Sequence, residues 1–355
     1  MTSRFPVFLL YGLVTLLAMT APTLAWAGAW YLASDFCESK HQSPCTRTAR
    51  YYVPTVVTRD TPILVCLHGG GGDEYSCENS LQWGDVITAH DNFVAIFPRA
   101  DVPIPGGGYR WTQVKTFEAL DCQESQADCF RNAHFIATLP EQVLARLSGR
   151  SFSQWRGGRH RTGRGGARWL VGFSSGGGLT WNVLCYRSSW FDAFGIVGHP
   201  RNEATASCGQ GLTLGSGNVR TDVYTPKPVS FMYGTLDTAN GVYDCTTPPG
   251  GYSCGASEID ALTSLDDLLR FNNATNGSAP RTVPDQGTDT TTTTITLYDV
   301  AFDETMPFAV LQWAFMDGAS HAWPKIRPDP SNAGSIPEDF NAHEEFYDFF
   351  LTWAP

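Results

Sequence analysis

Short apolar runs separated by stretches of helical periodicity set the pattern of this chain. The runs lie at 62–67 (PILVCL), 92–97 (NFVAIF), 168–171 (RWLV), 193–197 (AFGIV), 229–233 (VSFMY) and 309–315 (AVLQWAF). They are nearly continuous rather than alternating, the pattern of strands buried on both faces of a parallel sheet. Between them, 81–90, 130–147, 177–186 and 259–271 carry apolar residues at helical spacing, as in Ile259, Leu262, Leu265 and Leu269. Strand and helix alternate, which predicts an α/β fold: a mostly parallel central sheet flanked by helices in a single domain. A last helix over 342–353 sets Phe346, Phe349 and Phe350 in a stripe predicted to pack as core on that sheet.

Two segments break the alternation. The stretch 148–166 is glycine-rich and carries Arg150, Arg156, Arg159, Arg161 and Arg164. It reads as an exposed, mobile loop whose charges face water, with a site for an anionic polymer as the alternative. The stretch 288–296 (TDTTTTTIT) is of low complexity yet β-branched, which predicts an edge strand or hairpin arm. Neither marks a domain boundary.

The N-terminus has the layout of a secretory signal peptide. Arg4 supplies the positive charge, 7–20 is an apolar run too short to span a bilayer comfortably, and Ala25-Trp26-Ala27 is a small-x-small cleavage site. The expectation is a leader over 1–27 and a mature extracellular domain over 28–355 with no membrane association after cleavage. An uncleaved anchor is the alternative. With 42% hydrophobic and 13% aromatic residues, a chain of 355 has ample material for a core. A net charge of −11 argues against nucleic acid as a partner, since phosphate binding calls for basic surface.

Ten cysteines suit an oxidising compartment. Cys37 with Cys45, Cys122 with Cys129 and Cys245 with Cys254 are close enough in sequence to close short loops. Cys185 and Cys208 form a wider candidate pair, while Cys66 sits in an apolar run and Cys77 in the loop after it. Connectivity stays open, and no pair has the spacing of a zinc site, so no metal is expected. Asn273 and Asn276 begin N-x-S/T sequons, either glycosylation acceptors or parts of a polar loop.

Candidate chemistry centres on 169–181, WLVGFSSGGGLTW. Gly172-Phe173-Ser174-Ser175-Gly176 matches G-x-S-x-G and lies directly after an apolar run and directly before a helical one, where a nucleophile elbow belongs. Ser174 is the candidate nucleophile. A phosphate-binding loop would need a lysine after the glycines, and Leu179-Thr180 offers none; a linker would not be bounded by buried-type residues at both ends. A serine nucleophile needs an oxyanion hole, a carboxylate and a base, the last two in the order Ser, Asp, His for an elbow of this type. The loop His68-Gly69-Gly70-Gly71-Gly72 after an early strand offers N–H groups of Gly70 or Gly71, to act with that of Ser175. Asp237, in YGTLD after an apolar run, is the candidate acid, with Asp244 beside Cys245 as its rival. His321, in DGASHAWP, is the candidate base; His199 and His343 are rivals, and His68 reads as packing behind the glycine loop. Trp111 and Trp323 are candidate walls of a substrate cleft, with packing an equal alternative.

In LHGGGG, GFSSGG, YGTLD and SHAWP the chain resembles secreted serine esterases of the polyhydroxybutyrate depolymerase and feruloyl esterase type, a group that includes acetylxylan esterases. The resemblance covers roughly 62–353. Members of that group typically read H-G-x-x-D at the acid and G-H-x-W-P at the base; here Tyr233 stands for the first histidine and Ser320 for the glycine, while Ser174, Asp237 and His321 match. The resemblance implies an α/β-hydrolase fold, no cofactor, and hydrolysis of extracellular esters, polymeric or not. Carbohydrate esters of feruloyl or acetyl type are the leading expectation. A polyester depolymerase comes next, weakened because only the closing helix precedes Pro355 where a polymer-binding module often follows. A non-catalytic relative is disfavoured because every catalytic position is filled, and a peptidase is more remote still.

Overall fold

The computed structural model describes residues 28–38, 44–112, 131–149, 166–201, 213–214, 219–220, 224–239, 260–284, 291–300, 310–325 and 340–354. The leader expected over 1–27, most of the arginine-rich stretch, Asp244, and Cys122, Cys129, Cys208, Cys245 and Cys254 lie outside the described residues.

Strands β1 (Ala29–Phe36), β2 (Arg47–Val53) and β3 (Ile63–Leu67) open the chain, followed by helices α1 (Ser76–Asn79) and α2 (Trp83–His90), then β4 (Val94–Pro98). A small hairpin, β5 (Val102–Pro103) with β6 (Tyr109–Arg110), precedes α3 (Arg131–Leu147). Next come β7 (Arg168–Phe173), α4 (Ser175–Arg187), β8 (Ala193–Val197), the short pair β9 (Thr213–Leu214) and β10 (Val219–Arg220), and β11 (Val229–Gly234). The last third holds α5 (Ala261–Asn272), β12 (Ala274–Gly277), β13 (Arg281–Thr282), β14 (Thr292–Val300), β15 (Leu311–Asp317) and α6 (Ala342–Trp353).

The main sheet runs in the order β1-β2-β4-β3-β7-β8-β11-β15-β14-β12, with β13 also on β14. From β4 to β15 every neighbouring pair is parallel; β1, β2, β14, β12 and β13 join antiparallel. The six apolar runs of the sequence are these six parallel strands, and alternate residues of each feed two separate cores. Ile63, Val65, Leu170, Phe194 and Phe231 pack with α3, α4 and α5, while Leu64, Trp169, Val171 and Met232 pack with α2 and α6. Burial on both faces is why these strands lack the alternation of a half-exposed sheet.

The aromatic stripe of α6 is core, as its pattern implied. Phe350 stacks on Trp169 with centroids 5.4 Å apart. Phe346 fills the space over Gly195, where an added Cβ would lie 2.6 Å from its ring. The threonine-rich run is a strand of nine residues, set slightly later than 288–296, and it is covered by β12 and β13 rather than lying at the sheet's edge. Asn273 is the left-handed C-cap of α5, φ 53°, a position that asparagine tolerates. Disulfides join Cys37 to Cys45 and Cys66 to Cys77; Cys185 is also disulfide-bonded, and no described cysteine is free. No described helix is long and apolar enough to cross a membrane.

Packed histidines make stability pH-dependent. Burial pushes His134 of α3 and His343 of α6 below the ordinary histidine value of 6.5. The unfolded chain therefore takes up protons near pH 6.5 that the fold refuses, so their contribution to stability is complete above that pH and declines as pH drops below it. The melting temperature is expected to be lower at pH 5 than at pH 7.5; an unchanged or higher value at pH 5 contradicts this.

Candidate active site

One residue makes the turn between β7 and α4. Ser174 holds φ 54° and ψ −121°, a conformation that side chains rarely adopt and that persists only where the surroundings impose it. Its N–H donates to Val197 O at 2.9 Å, and its carbonyl accepts the Gly178 N–H at 3.0 Å, so β8 and the first turn of α4 hold it from both sides. The flanking glycines are required by space. A Cβ on Gly172 would lie 2.3 Å from Gly176 O and 2.4 Å from Thr180 Oγ1, and one on Gly176 would lie 2.3 Å from Leu67 O. The helix thus meets the ends of β3 and β7 closer than any side chain permits, and the serine is presented at the carboxyl ends of the parallel strands.

His321 and Asp237 come to that serine from the loops after β15 and β11. His321 Nε2 is 2.8 Å from Ser174 Oγ, and His321 Nδ1 is 2.7 Å from Asp237 Oδ2. A carboxylate only accepts, so Nδ1 carries a proton, and in the neutral ring Nε2 then offers its lone pair to the serine hydroxyl. Asp237 is 1% exposed, and its other oxygen accepts the Ala239 N–H at 3.1 Å, so the buried charge has partners on both oxygens.

The two loops are bound into one unit. Leu236 N–H donates to Ala319 O at 2.9 Å, Thr235 N–H to Met316 O at 3.0 Å, and Gly318 N–H to Thr235 Oγ1 at 2.8 Å. Below them Gly198 has φ 61°, and a Cβ there would come within 3.2 Å of both Asp237 Oδ2 and His321 Cε1. The Phe173 ring stacks on the imidazole at 5.1 Å and 22°. Sequence reasoning missed both supports. The glycine ending the run AFGIVG and the aromatic residue preceding the serine were the available signals.

The glycine loop lies against the elbow. A Cβ on Gly69 would be 3.3 Å from Ser174 Cβ, and one on Gly70 would be 3.8 Å from Ser175 Oγ. Ser175 is the first residue of α4, directly after the strained serine. Gly71 is corrected as a donor: its N–H is committed to Tyr109 O at 2.9 Å, which leaves Gly70 as the loop residue for that role. The tryptophans are corrected as well. Trp111 is 3% exposed and donates from Nε1 to His68 O at 3.0 Å, behind the loop. Trp323 is buried, edge-on to Phe173 and packed on Phe346, so it supports the ring that supports His321 instead of facing a cleft. Of the rival bases, His199 is buried and donates from Nδ1 to Pro200 O, and His343 is buried in α6.

The Cys66–Cys77 disulfide closes the segment that contains the glycine loop, tying β3 to α1 with both sulfur-bearing residues buried. A loop of this size constrains the unfolded chain by about 3 kcal/mol. Replacing both cysteines by alanine should lower unfolding free energy by about 2–3 kcal/mol in denaturant titration; a change below 0.5 kcal/mol, on the order of a surface substitution, overturns this.

The parallel sheet with helices on both faces, the strained serine between β7 and α4, and the chain order Ser174, Asp237, His321 define an α/β-hydrolase fold. No family model matches the chain, and no curated protein matches it. Among solved structures it is similar to an acetyl xylan esterase from Aspergillus awamori, at 15% identity over 83% of this chain and 94% of that one, TM-score 0.42. It is also similar to a ferulic acid esterase from Anaeromyces mucronatus in complex with ferulic acid, at 14% identity over 92% and 90%, TM-score 0.44. A feruloyl esterase module from Clostridium thermocellum complexed with sinapinate follows at 12% identity over 84% and 83%, TM-score 0.41. These are distant likenesses of fold.

Proposed function

We propose that this chain is a secreted serine esterase that hydrolyses carboxylic esters of plant cell-wall carbohydrate, feruloyl or acetyl, with Ser174, His321 and Asp237 as its triad. The observation that carries the reading is the strained Ser174 with its Oγ 2.8 Å from an imidazole that Asp237 orients at 2.7 Å. The sequence resemblance in the glycine, elbow, acid and base segments supports the substrate class. The leader-like residues 1–27 and the disulfides support secretion of 28–355.

The proposed chemistry runs through these residues and water. His321 Nε2 takes the Ser174 proton as Oγ attacks the ester carbonyl carbon, and the N–H groups of Gly70 and Ser175 hold the oxygen that becomes negative. Asp237 stays ionised and stabilises the imidazolium. The tetrahedral intermediate collapses, Nε2 gives its proton to the departing alkoxide, and the alcohol leaves an acyl group on Ser174. Water, deprotonated by Nε2, attacks that acyl group; the second collapse returns the proton to Oγ and releases the acid.

Initial rates on feruloylated and acetylated xylan oligosaccharides, on hydroxybutyrate oligomers and on p-nitrophenyl acetate test the reading. Turnover of the model ester together with the carbohydrate esters is expected. Turnover of hydroxybutyrate oligomers alone would replace the substrate class with a polyester, and no hydrolysis of any ester would end the esterase reading.

A further inference from the structure

The imidazole of His68 is fully enclosed and takes no part in the chemistry above, yet both its nitrogens are engaged. The Ala100 N–H donates to His68 Nε2 at 3.1 Å, which fixes Nε2 as the acceptor and puts the ring proton on Nδ1. Nδ1 lies 2.7 Å from Gly69 O and therefore donates to it. Burial favours the neutral ring, lowering its affinity for a second proton. The ring reaches its own neighbour's carbonyl only because Gly72 has no side chain; a Cβ there would lie 2.8 Å from Nδ1. Trp111 holds the same residue from the other side, through His68 O at 3.0 Å and a tilted ring contact at 5.3 Å.

The carbonyl that His68 holds belongs to the peptide unit whose N–H is that of Gly70. In a planar trans peptide the C=O and N–H point in opposite directions, so fixing one aims the other. Gly69 O also accepts the Gly72 N–H at 3.1 Å, but that donor is part of the same loop and moves with it. His68 is anchored outside the loop, by Ala100 beyond β4 and by its place at the end of β3. We propose that His68, as its Nδ1–H tautomer, is a positioning residue that aims the Gly70 N–H at the oxygen of the tetrahedral intermediate. The inference rests on the esterase reading and adds a role to a residue outside the triad.

Two substitutions separate the nitrogens. His68→Asn places an amide near the Nδ1 position and retains a donor for Gly69 O; His68→Gln places its amide near Nε2, keeps an acceptor for Ala100 and loses that donor. His68→Gln is expected to lower kcat on p-nitrophenyl acetate by about 10²-fold, the scale of a lost oxyanion donor, with KM within about threefold. His68→Asn is expected to stay within about tenfold of the parent kcat, well inside the loss for a missing donor. Affinity for phenylboronic acid, whose adduct on Ser174 carries a charged oxygen, should fall in proportion to kcat in His68→Gln. The proposal is overturned if the two variants lose kcat equally, if both match the parent, or if boronate affinity does not follow kcat. Should either variant fail to fold, Gly72→Ala is the second route: it displaces the ring from Gly69 O and must lower kcat and boronate affinity together. An inactive parent protein would count against the esterase reading, whereas an active parent with indistinguishable His68 variants counts against this role alone.

Discussion

Ser174→Ala should abolish hydrolysis of p-nitrophenyl acetate, with kcat falling by roughly 10⁴-fold or more, as when a serine nucleophile is removed from a triad. In the proposed mechanism the serine hydroxyl is the group that bonds to the acyl carbon, and its Oγ lies 2.8 Å from His321 Nε2. Ser175→Ala is the matched control. Its proposed contribution is its backbone N–H at the start of α4, which alanine retains, so a folded and partly active enzyme is expected. The strain adds a second readout. The positive φ at Ser174 is better tolerated by glycine, so Ser174→Gly should be as inactive as Ser174→Ala and melt no lower. Survival of activity in Ser174→Ala, or equal losses at 174 and 175, would remove the nucleophile assignment.

Much of this arrangement is legible in the sequence because it depends on local constraints. Apolar runs without alternation mark the six parallel strands, since a strand covered on both faces has no polar face to show. The elbow is legible because a strand, a strained serine and a helix must follow one another within a few residues. Strands β1 and β2 escaped notice for a physical reason. β2 reads RTARYYV, and its buried Arg47 bonds to Glu38 and Asn132 at 2.8 and 2.9 Å, so a satisfied ion pair occupies a place where the pattern looks for an apolar residue. The choice between Gly70 and Gly71 was equally hidden. It depends on Tyr109, which pairs with the glycine loop from a hairpin far along the chain, and Gly108 must be glycine there because a Cβ would lie 2.0 Å from Gly71 O. Long-range backbone pairing of this kind leaves no mark in the loop's own residues. The tryptophans fail as cleft walls for a related reason: an aromatic residue near a motif serves equally well as a brace behind it, and only burial distinguishes the two.

Asp237→Asn tests the triad as a coupled unit. The substitution preserves size and retains an oxygen for the Ala239 N–H, but an amide placed with its NH₂ toward His321 donates to Nδ1 where the carboxylate accepted from it. The imidazole must then carry its proton on Nε2, and a protonated Nε2 cannot receive the proton of Ser174. Turnover is expected to fall by about 10³–10⁴-fold, with the fold retained, because the wrong tautomer prevails while the geometry survives. Asp317→Asn is the control within the same pair of loops: its carboxylate is exposed and takes the Thr235 hydroxyl at 3.1 Å, so losing it should leave turnover within a few fold, as expected of a surface hydrogen bond. Circular dichroism melts separate a loss of chemistry from a loss of fold. Near-parental turnover in Asp237→Asn together with an inactive Asp244→Asn would transfer the acid's role to Asp244, and full activity in both would mean that His321 is oriented without either carboxylate.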